Sequence, residues 1–271
     1  MLEYGPWELL AIALIYLIAG VVKGGIGLGL PTVSIGLMAI WLPVEQAAGI
    51  LIIPVILTNI WQTFYGTALK LILLRFWTLK ICLIFGSVIG ASLISGVNAA
   101  IVSGLLGVVL VAFAILGLTG IRFDVREKDE KLWNPFIGLT TGIISGATAI
   151  FVVPVVPYLQ SINFARGQTR QGKLVVDPTK ARDPTMERDA LIQALGMTVL
   201  ISSVALALGL KAREQLPLAI IVPGFIGTST AIIGMIAGRF IRNKMSLEVF
   251  RRWVLSALVV LGGGMIARAL S

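Results

Sequence analysis

The chain has no histidine and a single cysteine, Cys82, placed inside an apolar run. Those two shortages exclude an internal disulfide, a cysteine metal site, an intramembrane metalloprotease and a histidine-based hydrolase. Charge is scarce as well: 13% of residues are charged against 57% hydrophobic, with a mean hydropathy of +0.97. Too little polar surface remains to face water, so the chain reads as an integral membrane protein. No Asp or Glu falls within the apolar runs, and Glu45, Asp189 and Glu248 flank helix starts, where they complement the dipole. Proton relays through membranes need an acid or a histidine. No residue therefore identifies proton coupling, and facilitated export or coupling through backbone-bound ions both stay open.

What the chain has is apolar length. Long runs extend over 7–41, 47–65, 77–97, 101–121, 136–159, 190–210, 216–238 and 253–270. A bilayer-spanning helix takes about 20 such residues, and the runs lack the polar/apolar alternation of a barrel strand. The run from Leu9 to Val22 follows Glu3 and Glu8 rather than a positive region, so it is expected to stay in the mature protein. The net charge of +9 comes from basic residues in loops, not along one polar face. They serve as topology signals, and no nucleic-acid partner is expected.

Two runs are interrupted. The first carries Lys23-Gly24-Gly25-Ile26-Gly27-Leu28-Gly29-Leu30-Pro31 at its middle, and the fifth carries Ser145-Gly146-Ala147-Thr148. Gly20, Gly24 and Gly36 recur as Gly138, Gly142 and Pro154, each 118 positions later. Interrupted hydrophobic segments at corresponding places in two halves point to a transporter with its site where broken helices meet. Arms of about a dozen residues are too short to span, so both runs are expected to enter the membrane and turn back.

Loop charge supplies an orientation. The loops holding Lys70 to Lys80, Arg122 to Lys131, Arg166 to Arg188 and Arg239 to Arg252 place 18 of the 22 basic residues on one side if all four are cytoplasmic. That requires the fifth run to return to the side it entered from. The expected fold is an all-α, polytopic membrane protein of two inverted repeats, each with a re-entrant or broken helical hairpin plus three transmembrane helices. Residues 1–121 form the first repeat with its hairpin over 7–42, and 122–134 a cytoplasmic linker. Residues 135–271 form the second, with a hairpin over 135–160 and a mobile loop over 161–188. In the competing plan the first segment of each half spans the membrane, which puts a strongly basic loop outside. Within the loop, Gly167-Gln168-Thr169-Arg170-Gln171-Gly172-Lys173-Leu174 imitates a phosphate-binding loop, but Leu174 replaces the magnesium-holding Ser or Thr and no strand precedes it. No nucleotide and no cofactor is expected.

The residues at the interruptions carry a resemblance. Gly20-Val21-Val22-Lys23 through Pro31, then Asn59, looks like the first signature of the sulfite exporter TauE/SafE family, also called the toluene sulfonate uptake permease family. Gly138 to Thr148, then Pro154 and Pro157-Tyr158-Leu159-Gln160, is similar to the second. The similarity runs over nearly the whole chain. Ala149 stands where a glycine is usual, and the 161–188 loop is longer than the family pattern. The resemblance implies a multi-pass inner-membrane transporter, not an enzyme, that exports a small sulfur-containing anion such as sulfite, a sulfonate or sulfoacetate.

An anion follows from the residues too. A helix restarting inside the membrane offers unpaired N–H groups and the positive end of its dipole. Gly24, Gly25, Gly27 and Gly29 on one side, and Thr141, Ser145, Gly146, Ala147 and Thr148 on the other, are the candidate cradle. Glycines at tight turns and helix contacts are the plainer alternative. Lys23, the only charge between Glu8 and Glu45, is either the substrate's counter-charge or a snorkelling helix-end lysine. Asn59 and Gln62 share a face, as do Gln193, Thr198 and Ser202; they line the path or hydrogen-bond between helices. The spacings Gly86 to Gly90 and Gly234 to Gly238 are expected to be packing contacts, and Trp61, Trp77 and Trp253 interfacial anchors. The partners expected are a small anion and the lipid bilayer, with a homodimer left open. A channel and a membrane assembly factor remain the competing functions.

Overall fold

The computed structural model describes residues 4–96, 98–119, 125, 126, 128–162, 164, 184–214, 216–244 and 247–270, and among them there is no strand. Helices α1 (Pro6–Ile26), α2 (Leu30–Met38), α3 (Val44–Phe64), α4 (Leu69–Arg75), α5 (Trp77–Gly96) and α6 (Ala99–Thr119) make the first half. The second half contains α7 (Glu130–Thr148), α8 (Val155–Gln160), α9 (Pro184–Lys211), α10 (Ile221–Lys244) and α11 (Leu247–Leu270). Six of the helices are long and apolar enough to cross a membrane, and α4 with α5 forms a further pair bent by 72°. In lipid a backbone must satisfy its own hydrogen bonds, which is why continuous apolar runs become helices here.

The interruptions differ from their expected form. Helix α1 runs unbroken for 21 residues through Gly20 and Gly24, and α7 for 19 residues through Gly138, Gly142 and the whole of Ser145 to Thr148. The breaks fall at Gly27–Gly29 and at Ala149–Pro154. At about 1.5 Å per residue α1 is long enough to span alone, so the first run is one long arm and one short arm rather than two short ones. The glycines inside α1 and α7 serve packing. A Cβ on Gly20 or Gly24 would lie 2.3 or 2.2 Å from the carbonyl oxygens of Ala231 and Met235 in α10. On Gly142 or Gly146 it would lie 2.3 Å from those of Leu83 and Ser87 in α5. Gly86, Gly90, Gly234 and Gly238 answer from the opposite helices, against Leu139, Ile143, Leu17 and Val21. These are close backbone crossings of the small-residue kind.

The two crossings are built alike, but not at the expected offset. Gly20, Gly24, Leu17 and Val21 correspond by contact to Gly142, Gly146, Leu139 and Ile143, 122 positions later, and Gly86 and Gly90 to Gly234 and Gly238, 148 later. The offset of 118 is short by one helical turn. Glycines four apart superpose on themselves after a four-residue slip, so the spacing alone does not fix the register.

Around this frame α1 packs on α10, α5 on α7, α3 on α9 and α6 on α11. Trp61, Trp77 and Trp253 are exposed, as are Phe85 and Val260, giving the bundle an apolar exterior. Helices α7 and α9 begin at Glu130 and Pro184, so the ends of the expected linker and loop are helical. The rest of the 161–188 loop, including the phosphate-loop imitation, lies outside the described residues apart from Ser161, Ile162 and Phe164.

Candidate functional site

Lys23 stands in the last turn of α1 and is buried. Its Nζ donates to Thr58 Oγ1 at 3.1 Å and to Asn59 Oδ1 at 3.2 Å, both on α3. Thr58 passes its own proton to the Pro54 carbonyl at 2.7 Å, and the Asn59 amide donates to the Val55 carbonyl at 2.8 Å, so each turns an oxygen toward the lysine. Among the described residues no carboxylate pairs with Lys23. A buried ammonium with two neutral acceptors retains one proton and a full charge to be matched.

The first break brings backbone donors to the same place. Gly27 (φ 88°) closes α1 with its N–H on the Lys23 carbonyl at 2.8 Å, and Gly29 (φ 103°) caps α2. Both lie in the left-handed region open to glycine. The first bond of α2 is from the Val33 N–H to the Gly29 carbonyl, leaving the N–H groups of Leu30 and Thr32 without a helical partner, while Pro31 has none. Thr32 Oγ1 is also buried and unpartnered. Lys23, Gly27, Gly29, Asn59 and Gln62 line one side of a cavity of about 10 Å³, room for roughly one water. Leu28 and Pro31 belong to the same lining, and Val152, Leu195 and Val199 of the second half complete it. Gln62 bridges the halves, its amide donating to the Ile192 carbonyl at 2.9 Å across Gly196, where a Cβ would sit 2.7 Å from Gln62 Cγ.

The second break is organised otherwise. Ser145 Oγ donates to the Gly142 carbonyl at 3.0 Å and lies 3.2 Å from Ser87 Oγ. Thr148 donates to the Ile144 carbonyl at 2.7 Å and accepts from the Ile150 N–H at 3.3 Å. The segment that follows, Ala149 to Val153, is apolar and buried. The hydroxyls expected to cradle an anion are thus engaged by their own helix.

Other candidates are also drawn elsewhere. Gly24 faces the Met235 backbone and Gly25 the Phe250 ring; Gly146 faces the Ser87 backbone, and Ala147 is buried in α7. Gln193 fastens the end of α3, donating to the Thr63 carbonyl at 2.8 Å and accepting from the Ala68 N–H at 3.0 Å. Thr198 bonds back to Ala194, while Thr141 and Ser202 keep buried hydroxyls without a partner. Sequence reasoning overlooked Thr58, whose position beside Asn59 on α3 was the available signal. It also overlooked Leu195 and Val199, apolar residues on an apolar helix that carry no signal.

The family comparison agrees with this geometry. The family model described as sulfite exporter TauE/SafE matches residues 12–171, a span that contains both breaks and is narrower than the motifs suggest. No curated protein and no solved structure matches the chain significantly. With a match over more than half its length, this multi-pass membrane chain belongs to the sulfite exporter TauE/SafE family, a family of transporters.

Proposed function

We propose that the protein is a secondary transporter that exports a small sulfur-containing oxyanion, of the sulfite, sulfonate or sulfoacetate class, across the inner membrane. The observation that carries this reading is Lys23, buried without a carboxylate beside the N-terminus of α2. An ammonium and helix-start N–H groups together suit an oxyanion, and the anion neutralises a charge that otherwise costs at least about 2.5 to 3.5 kcal/mol in the membrane.

The alternating-access part of the proposal rests on the repeated crossings. Exchange of the two halves carries the α1–α10 contact onto α7–α5 and leaves α3–α9 and α6–α11 astride the axis. Together with the basic loops, this supports two inverted repeats that move against each other around the Lys23 cavity. A cavity with room for roughly one water favours a carrier over an open pore. Homodimer formation is compatible with the reading and is not required by it.

Purified protein in liposomes, assayed for flux of sulfite, methanesulfonate, sulfate and chloride, tests the proposal. Saturable exchange that is lost in Lys23→Ala is the expected result. Absence of flux under every gradient overturns transport, and conductance without saturation replaces the carrier with a channel.

A further inference from the structure

The lining of the Lys23 cavity is divided between the halves of the molecule. The first half contributes the ammonium, the Asn59 and Gln62 amides and the left-handed glycines; the second contributes Val152, Leu195 and Val199. Leu195 and Val199 are one turn apart on α9, and Val152 comes from the apolar segment after α7. Lys23 is the only titratable side chain in the lining. The break segments Leu28–Gly29 and Ala149–Pro154 and helix α2 bring no charged residue to it. On α3 the sole charge, Glu45, lines a separate cavity with Glu8, and those of α9 (Glu187, Arg188, Asp189 and Lys211) lie toward the helix ends. One positive charge therefore faces three aliphatic side chains.

Resting on the anion-site reading above, we propose that this cavity selects by charge number: it accepts a monoanion and rejects a dianion, with Val152, Leu195 and Val199 as the selectivity wall. A monoanion places its oxygens on Lys23 and the break N–H groups and turns an uncharged group toward the wall. The lysine neutralises it completely. A dianion brings a second charge that no residue of the lining matches, and the aliphatic wall offers it no hydrogen bond. Methanesulfonate and hydrogensulfite fit this rule, whereas sulfate and the sulfite dianion do not. The wall acts by exclusion, which is how a site discriminates between ligands that share the same oxygens.

The experiment is methanesulfonate counterflow in liposomes containing the full chain, with sulfate as competitor, and the sulfite-to-methanesulfonate flux ratio followed from slightly acid to slightly alkaline pH. Sulfate is expected to compete at least about tenfold more weakly than unlabelled methanesulfonate. The flux ratio should fall with rising pH, because sulfite loses its last proton near neutrality and methanesulfonate is a monoanion throughout. Loss of charge from Lys23 would lower both fluxes together and leave the ratio unchanged, so the ratio reads the substrate. In Val199→Thr and Leu195→Asn the penalty against sulfate should shrink several-fold. Equal competition by sulfate in the natural protein, a flat ratio, or an unmoved penalty in both variants overturns the charge rule. If no anion is transported, the transport reading fails first, and the melting temperature of the detergent-purified protein then decides the rule. Greater stabilisation by methanesulfonate than by sulfate keeps it, and equal or no stabilisation by both removes it.

Discussion

The two breaks share a frame and differ in chemistry. Each long helix ends on a left-handed residue, Gly27 or Ala149, whose N–H bonds back to a carbonyl four residues earlier, that of Lys23 or Ser145. Each helix crosses its partner through glycines in the same way. Yet the first break continues into a nine-residue helix whose initial N–H groups adjoin a buried ammonium. The second continues through buried aliphatics into a helix of six residues, and its hydroxyls bond within their own helix. Duplication of a frame leaves each copy free to keep a different part of the work: one half holds the charge, and the other supplies a wall.

That comparison can be broken or sharpened by experiment. The strongest stability effect should come from the base of α7, where Arg75 and Glu130 form a buried two-bond pair at 2.8 and 2.6 Å that joins α4 to the second half. The first half has no such tie at the same place, since Glu8 caps its own helix at the Gly5 N–H. Glu130→Ala should cost about 3 to 5 kcal/mol, read as a lower unfolding midpoint, whereas Glu8→Ala should cost about 1 kcal/mol or less.

Next comes flux. Lys23→Ala should lower it by about a hundredfold, equivalent to roughly 2.7 kcal/mol, with Ser145→Ala costing less than about threefold. Equal losses would place anion chemistry in both breaks and end the contrast.

Glycine packing should show the halves as equals: Gly24→Ala and Gly146→Ala are each expected to destabilise by about 1 to 3 kcal/mol, because each new Cβ meets a backbone oxygen at 2.2 to 2.3 Å. A large difference between them in thermal unfolding would count against the correspondence of the two crossings. The smallest effects concern the caps. Gly27→Ala should destabilise by about 1 kcal/mol and Ala149→Gly should be neutral or stabilising by up to about 1 kcal/mol, since Ala149 holds a φ of 55° at the cost glycine avoids.

Much of the fold was legible because the bilayer makes the code simple: a long apolar run has to become a helix. Lys23, Asn59 and Gln62 were legible as polar residues that such runs rarely carry without reason. The hydroxyls of Ser145 and Thr148 misled because a serine or threonine in a helix can satisfy itself on the preceding turn, and sequence does not show which partner it takes. Gly20, Gly24, Gly138 and Gly142 misled differently. A glycine row looks the same whether it breaks a helix or admits another helix.

Composition and run length determined that this chain is a helical membrane protein, and two interrupted runs with a lone lysine determined where an anion would be sought. Only the tertiary structure decided the register of the repeat, the true position of each break and which residues share the cavity. The reason is geometric. Periodicity is indifferent to a shift of one turn, whereas the approach of Gly24 to Met235 and of Gly146 to Ser87, and the meeting of Lys23 with Thr58 and Asn59 across 35 and 36 residues of chain, each allow a single arrangement.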